Sequence, residues 1–320
     1  MSKAKSNKLS IIAKGVSMIR RPLFTTSLLL VTSFISQCYS SAAIGAAKTG
    51  SLPFSLSVST IGSEEADIGD GEQSLQRDSL QFDAKARVVL APQWSLGFNL
   101  GYGELNYDWQ QNDSSLFGGT YNGWQKVHRY KAGISLSYRM DEQWMFMLAP
   151  QVQFAYVDTA SSNDAASYGI VVSGMYRFEH GSLFGVGVAY LNDISDVRIM
   201  PYPIISWQIS PSWRLGNPFD AGFTGSAGLE LSYRMNSNID FGFGGARRTQ
   251  RFLLEGDDTT VEVNEFVSFL RATWSISESI RLTGYTGYYS DGELELNTPQ
   301  VQIESIDGQG ALALVAEYRF

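Results

Sequence analysis

The chain is poor in cysteine and histidine, with one Cys and two His in 320 residues. That leaves little material for a disulfide framework or for a zinc centre built from Cys and His. Charged residues make up only 18%, and acidic ones outnumber basic ones to give a net charge of −8, which argues against nucleic acid as a partner. No continuous run of 18 apolar residues occurs, so a helical membrane span is excluded. Prolines are few, at 9, whereas glycines number 31 and aromatics comprise 18 Phe, 16 Tyr and 7 Trp. That balance leans toward many strands joined by tight turns. The hydrophobic fraction of 44% is too high for a disordered chain.

The N-terminal segment has the makeup of a leader. Lys3, Lys5, Lys8, Lys14, Arg20 and Arg21 come before any acidic residue. The apolar stretch that follows, residues 23–35, is too short for a spanning helix of ~20 residues. Small residues then gather at Ser40, Ser41, Ala42 and Ala43. Residues 1–43 therefore read as a signal peptide with a cleavage region at 38–46, and residues 51–320 as one domain. Cys38 is a candidate for lipidation, although Gln37 fits poorly before it. Losing the six leader cations takes the net charge from −8 to about −14. An acidic exported chain without cysteine suits an oxidising compartment.

Beyond Ser51 the apolar residues recur with period two rather than 3.6. Leu80, Phe82, Ala84, Ala86, Val88 and Leu90 alternate with polar residues, and so do Trp94, Leu96, Phe98, Leu100 and Tyr102. The pattern returns repeatedly and ends with Leu312, Leu314, Ala316, Tyr318 and Phe320. A soluble β-sandwich also alternates, but with shorter strands and a hidden apolar set. A transmembrane barrel turns its apolar set outward, puts polar and small residues inside, and marks both membrane interfaces with aromatics. The frequent Trp, Tyr and Phe at the ends of the alternating runs favour the barrel.

Six short polar turns, at 91–93, 141–143, 179–182, 210–212, 236–238 and 277–279, each precede an aromatic or aliphatic residue. Seven longer segments separate them, at 60–79, 108–126, 158–166, 193–198, 216–223, 255–263 and 291–308. These connections predict an all-β, up-and-down antiparallel barrel of about 14 strands, with short periplasmic turns and long extracellular loops. Twelve strands is the alternative, because 213–223 and 241–254 break the alternation. The terminal Tyr318 and Phe320 match the assembly signal of outer-membrane barrels.

The block from Pro201 to Pro218 resembles one shared by an uncharacterised family of bacterial outer-membrane barrels, a domain of unknown function. The stretches Thr224–Tyr233 and Arg251–Leu254 and the closing Tyr318-Arg319-Phe320 are similar to it too, so the likeness covers roughly 180–320. It implies a barrel and no activity, cofactor or catalytic residue.

A lipid hydrolase would need a histidine beside a serine on the membrane face. His128 falls on the outward phase while Ser135 and Ser137 fall on the opposite one, and His180 lies in a turn. No histidine–carboxylate pair suggests a protease. Gly242-Phe243-Gly244-Gly245 lacks a strand-to-helix setting, so its glycines read as lumenal or close-packed strand positions. Asp257 and Asp258 form an acidic loop tip for which solvation outweighs calcium binding. The chain reads as a non-enzyme without cofactor or metal.

Charge is partitioned instead. Lys85, Arg87, Arg129, Lys131, Arg271 and Arg281 lie on the polar phase and are assigned to a lumenal cation cluster, while the acidic excess sits in the loops. The leading reading is a passive pore or transporter for small solutes with a weak anion preference. A non-conducting structural or surface-interaction barrel is the alternative, and a lipid-modifying hydrolase a minor one. The expected surroundings are outer-membrane lipid, including lipopolysaccharide, and the barrel-assembly machinery, in a Gram-negative outer membrane.

Overall fold

The computed structural model describes residues 53–320, apart from 72, 112–115, 120, 195, 219–221, 226, 257 and 298–299. The leader reading, Cys38 and Asp257 lie outside these residues. The first strands are β1 (Phe54–Ser63), β2 (Ala66–Ile68), β3 (Gln73–Ala91), β4 (Trp94–Gln111), β5 (Lys126–Arg139) and β6 (Trp144–Val157). Then come β7 (Ala166–Arg177), β8 (Leu183–Asp193), β9 (Asp196–Gln208), β10 (Trp213–Gly216) and β11 (Ala227–Arg234). The last are β12 (Ile239–Glu255), β13 (Thr259–Ser275), β14 (Ile280–Asn297), β15 (Gln302–Ile306) and β16 (Gln309–Arg319).

Of these sixteen, β2 and β15 sit within loops, and the remaining fourteen close on themselves because β1 pairs with both β3 and β16. Around this wall all fourteen meet their neighbours antiparallel. The fold is a closed 14-strand up-and-down barrel, not a 12-strand one. Each of the six short turns joins the strands the sequence assigned to it, and together they define one end, the turn end. The opposite loop end differs from expectation. Segments 60–79, 255–263 and 291–308 are mostly strand, because β3, β4, β12, β13 and β14 run on for 17–19 residues, and 193–198 is mostly strand because β8 and β9 nearly meet there.

The outer face of the mid-barrel is apolar and exposed, reaching 73% at Val186 and 60% at Leu100 and Leu270. Such a face is unstable in water and suits a bilayer. Aromatics bound it: Trp94, Trp144, Trp213 and Trp274 lie near the turn end, and Phe82, Tyr102, Tyr130 and Tyr156 cross β3 to β6 nearer the loop end. Trp94 and Tyr102 are eight residues apart on β4. At ~3.3 Å per residue and a tilt of about 40° this spans roughly 20 Å, close to the ~25 Å apolar band of membrane barrels. Among the described residues no helix is long and apolar enough to cross a membrane.

Closure is fastened at the turn end. The Phe320 N–H donates to the Phe54 carbonyl at 2.9 Å, and the Phe320 ring lies 5.3 Å from Phe54 and 4.7 Å from Tyr318. Deleting Phe320 removes this junction between first and last strands together with the terminal aromatic. The expected outcome is a severalfold loss of folded barrel from the membrane, read as loss of the heat-modifiable band in gel electrophoresis. Unchanged folded yield would rule out the role.

Beyond the loop-side aromatics the long strands form a second, narrower ring. β2, β3, β4, β5, β6, β12, β13, β14 and β15 follow one another around it, with β6 and β12 bridged in parallel at Tyr156–Leu253 and β15 paired with β2 at Ile306–Ile68. Its interior is apolar: Leu75, Val127, Phe252, Val261, Leu294 and Leu296 are at most 1% exposed. Tyr107, Trp109, Trp124 and Phe252 stack within it at 5.1–6.5 Å. This ring is a filled cap over the bore.

Candidate functional site in the lumen

Below the cap, inward positions carry charge on one arc. Lys85 and Arg87 come from β3, and Arg129 and Lys131 from β5, so β4 lies between the two pairs. They share one region because β4 presents small inward residues there. A Cβ at Gly101 would sit 2.2 Å from a Lys131 side-chain carbon. Only glycine lets Lys131 cross over β4 to reach Asp83 at 2.8 Å. Arg271 and Arg281 do not join them. Arg271 is held by Glu230 at 2.7 Å and Asp240 at 2.6 Å, and Arg281 faces Glu317 at 3.6 Å near the turn end. The predicted single cluster is thus two separate groups, since β13 and β14 are several strands removed from β3 and β5 around the wall.

Other lumenal charges were not singled out by the alternation. Arg77 and Arg248 share Glu265, and both guanidinium groups lie over the Tyr289 ring, at 5.6 and 5.1 Å. Arg198 reaches Glu262 at 2.8 Å, and Arg251 lies 3.6 Å from Glu262 and 3.9 Å from Asp193. These last pairs fasten β8 and β9 to β12 and β13 where no strand ladder does. β10 has four residues, and above it Ile205 bonds to Asn217 from both its N–H and its C=O. Two-residue alternation turns the backbone of Pro203 and Pro201 toward the same side, where proline offers no N–H. That edge of β9 cannot extend the ladder, and side-chain ion pairs close the wall in its place.

The segment after β10 folds inward. Phe223 is fully buried, 5.4 Å from the Tyr285 ring and 5.5 Å from Tyr289, and Gly222, at φ +77°, lies against Gln81 of β3. Together with β3, β4, β5, β8, β9 and β12 it encloses a cavity beneath the cap. Five cations line it, Arg129, Lys131, Arg198, Arg248 and Arg251, with two carboxylates, Asp83 and Asp193. Leu191 and Met200 supply an apolar side.

That apolar side departs from the expectation of polar and small residues inside the barrel. The inward phase of β6 to β9 is Met145, Met147, Val171, Met175, Leu183, Tyr202 and Ile204, all buried. Those strands therefore have apolar residues on both faces, so simple alternation could not show which face looked inward.

His128 faces outward, 2.6 Å from Asp158, with its ring between Tyr102 and Tyr156. Spacing alone does not pair them, because Asp158 stands 30 residues on, across the β5–β6 pair. Ser135 and Ser137 are buried on the lumenal face, away from it, and His180 is exposed in its turn. Gly242 is lumenal as read, and a Cβ there would stand 2.5 Å from Glu230.

No family model matches the chain, and no curated protein matches it. Among solved structures, an outer-membrane channel from Pseudomonas putida F1 aligns over 87% of this chain and 98% of its own, at 10% identity and a TM-score of 0.46. The toluene transporter TodX of P. putida aligns over 85% and 91%, at 9% identity and a TM-score of 0.40. The translocator domain of the autotransporter NalP from Neisseria meningitidis aligns over 89% and 93%, at 10% identity and 0.34. At this level of likeness no solute and no mechanism transfers.

Proposed function

We propose that this chain is an outer-membrane channel for small solutes with a weak preference for anions, and that it belongs to the uncharacterised barrel family its sequence resembles. By the usual orientation the short turns face the periplasm and the cap faces outward. The observation that carries the reading is the lining of the lumenal cavity, where five cations meet two carboxylates. Fixed charge in a narrow, partly dry bore selects ions because water and salt screen it poorly there. The preference is weak because Lys131, Arg198, Arg248 and Arg251 each have a carboxylate neighbour. Acidic residues of the loop end, such as Glu64, Glu65 and Glu293, oppose anions at the mouth. Outer-leaflet lipopolysaccharide surrounds the barrel in this reading, and the assembly machinery recognises Tyr318 and Phe320.

Replacing Arg87 and Arg129 together by glutamine should move the reversal potential in a KCl gradient toward potassium. No movement, in a variant that still conducts, would remove the selectivity assignment. The second reading, a non-conducting barrel, is favoured by the apolar cap alone. It requires that the bore stay shut even when the cap is loosened.

A further inference from the structure

The wall has a gap on one side of the bore. The ladder between β9 and β10 ends at Ser206 and Gly216, and that between β11 and β12 ends at Ala227 and Arg247. Asn217 closes the foot of the gap, bonding Ile205 on one side and the Gly228 carbonyl, at 3.2 Å, on the other. The chain then leaves the wall, carries Phe223 into the bore and returns to β12 at Gly225, where a Cβ would collide with the Arg247 carbonyl. Above that foot, among the described residues, no strand stands between β9 and β12. The gap lies at membrane depth. Ile209 bonds Trp213 of the turn-end aromatics at 3.0 Å, and Pro201 is eight residues further along β9, the separation of Trp94 from Tyr102. Pro203 and Pro201 are exposed there, with Ile199, 67% exposed, above them. An N–H without a partner in hydrocarbon is costly, and proline has none to leave. This lip is apolar and needs no strand to cover it.

The cavity beneath the cap stands behind the gap. β12 lines it with both of its phases, Arg248 and Gln250 from the bore side and Thr249 and Arg251 from the outward side. A strand within a continuous membrane wall shows one phase to the bore and the other to lipid. A cavity that takes in both wraps around the edge of the strand. Its other side is Leu191 and Met200, which lead into the apolar inner face of β6 to β9. We propose that the gap between β9 and β12 is a lateral window, through which a small uncharged apolar molecule dissolved in the bilayer enters the lumen. The solute is uncharged because an ion would have to shed its water in hydrocarbon to reach the window. Leu191 and Met200 are the inner surface that receives it. The cap fits this route, since it shuts the axial end and leaves the side untouched. The proposal rests on the channel reading, for which it names a solute class and a side of entry.

The test is photolabelling of the full barrel in phosphatidylcholine vesicles with 3-trifluoromethyl-3-phenyldiazirine, a neutral aromatic that partitions into lipid and forms a carbene on illumination. Mass spectrometry maps the adducts. Lipid-facing Val186 is labelled in any case, and the window predicts adducts on the inward Leu191 and Met200 as well. Thr249→Trp, which sets an indole across the opening, should cut the inner adducts at least fivefold and leave Val186 unchanged. The heat-modifiable band confirms folding, and if this variant does not fold, Pro201→Trp on the opposite lip decides. Adducts confined to outward residues would overturn the window, and so would inner adducts that appear only when the cap is loosened or that ignore the tryptophan. Labelling is read without current, so a barrel labelled through the window that carries no ions keeps the window and loses the ion channel. A conducting barrel with unlabelled inner residues does the reverse.

Discussion

Replacing Glu230 by leucine should lower the stability of the barrel by about 3–5 kcal/mol, the usual cost of stranding one partner of a buried ion pair. Arg271 and Glu230 are each 3% exposed at their side chains, and three of the contacts between them lie at 2.7–3.3 Å. Asp240 and Thr273 hold the other end of the guanidinium. In the single variant Arg271 keeps Asp240, which is partly solvated, and loses its dry partner. In the double variant Arg271→Met with Glu230→Leu the uncompensated charge is gone, so most of the loss should be recovered. Urea unfolding in phospholipid vesicles, followed by tryptophan fluorescence, measures both. Equal losses in the single and double variants would show that packing at Gly242, not charge, holds this part of the wall.

The second large effect concerns the cap. Phe252 and Leu294 are completely buried in its core. Truncating both to alanine should cost roughly 2–5 kcal/mol at each position. The cap lies beyond the apolar band, so its loss should leave the membrane-embedded wall folded. Conductance in planar bilayers is expected to rise severalfold over the unmodified barrel, with the heat-modifiable band retained. If conductance is unchanged while protease cuts the loosened loop-end strands, the obstruction lies elsewhere, and the infolded Phe223 segment is the remaining candidate in the described bore.

Much of the wall was legible in the sequence, for local reasons. A turn such as Pro92-Gln93 or Asn236-Ser237-Asn238 is set by a few residues, and alternation on a strand in lipid shows directly which face is out. The cap was not legible in that way, because a strand leaving the membrane inverts its apolar phase. On β4, Trp94, Phe98, Leu100 and Tyr102 point outward to lipid, and then Leu105, Tyr107 and Trp109 point inward, away from water. On β14 a bulge does the turning instead: Asp291 takes φ 49°, the β13 ladder slips, and the even-numbered positions that face out at Tyr288 face in at Leu294 and Leu296. The irregularity in 241–254 has the same origin, since β12 buries Arg251, Phe252, Leu253 and Leu254 in succession where its two faces both meet protein. An inversion of phase inside an overlong strand was the signal to look for. The ion pairs had no such signal. Arg77 and Glu265 are 188 residues apart, and only closure of the barrel brings them together.

The reversal potential of the cap-loosened barrel, Phe252→Ala with Leu294→Ala, in a tenfold KCl gradient tests the proposed function most directly. With the axial obstruction removed, the sign reports the charge of the lumen itself. The expected result is a measurable current with a modest chloride preference that declines as bath salt is raised, as screening of the fixed cations requires. A potassium preference, or a folded barrel that carries no current in this state, would contradict it.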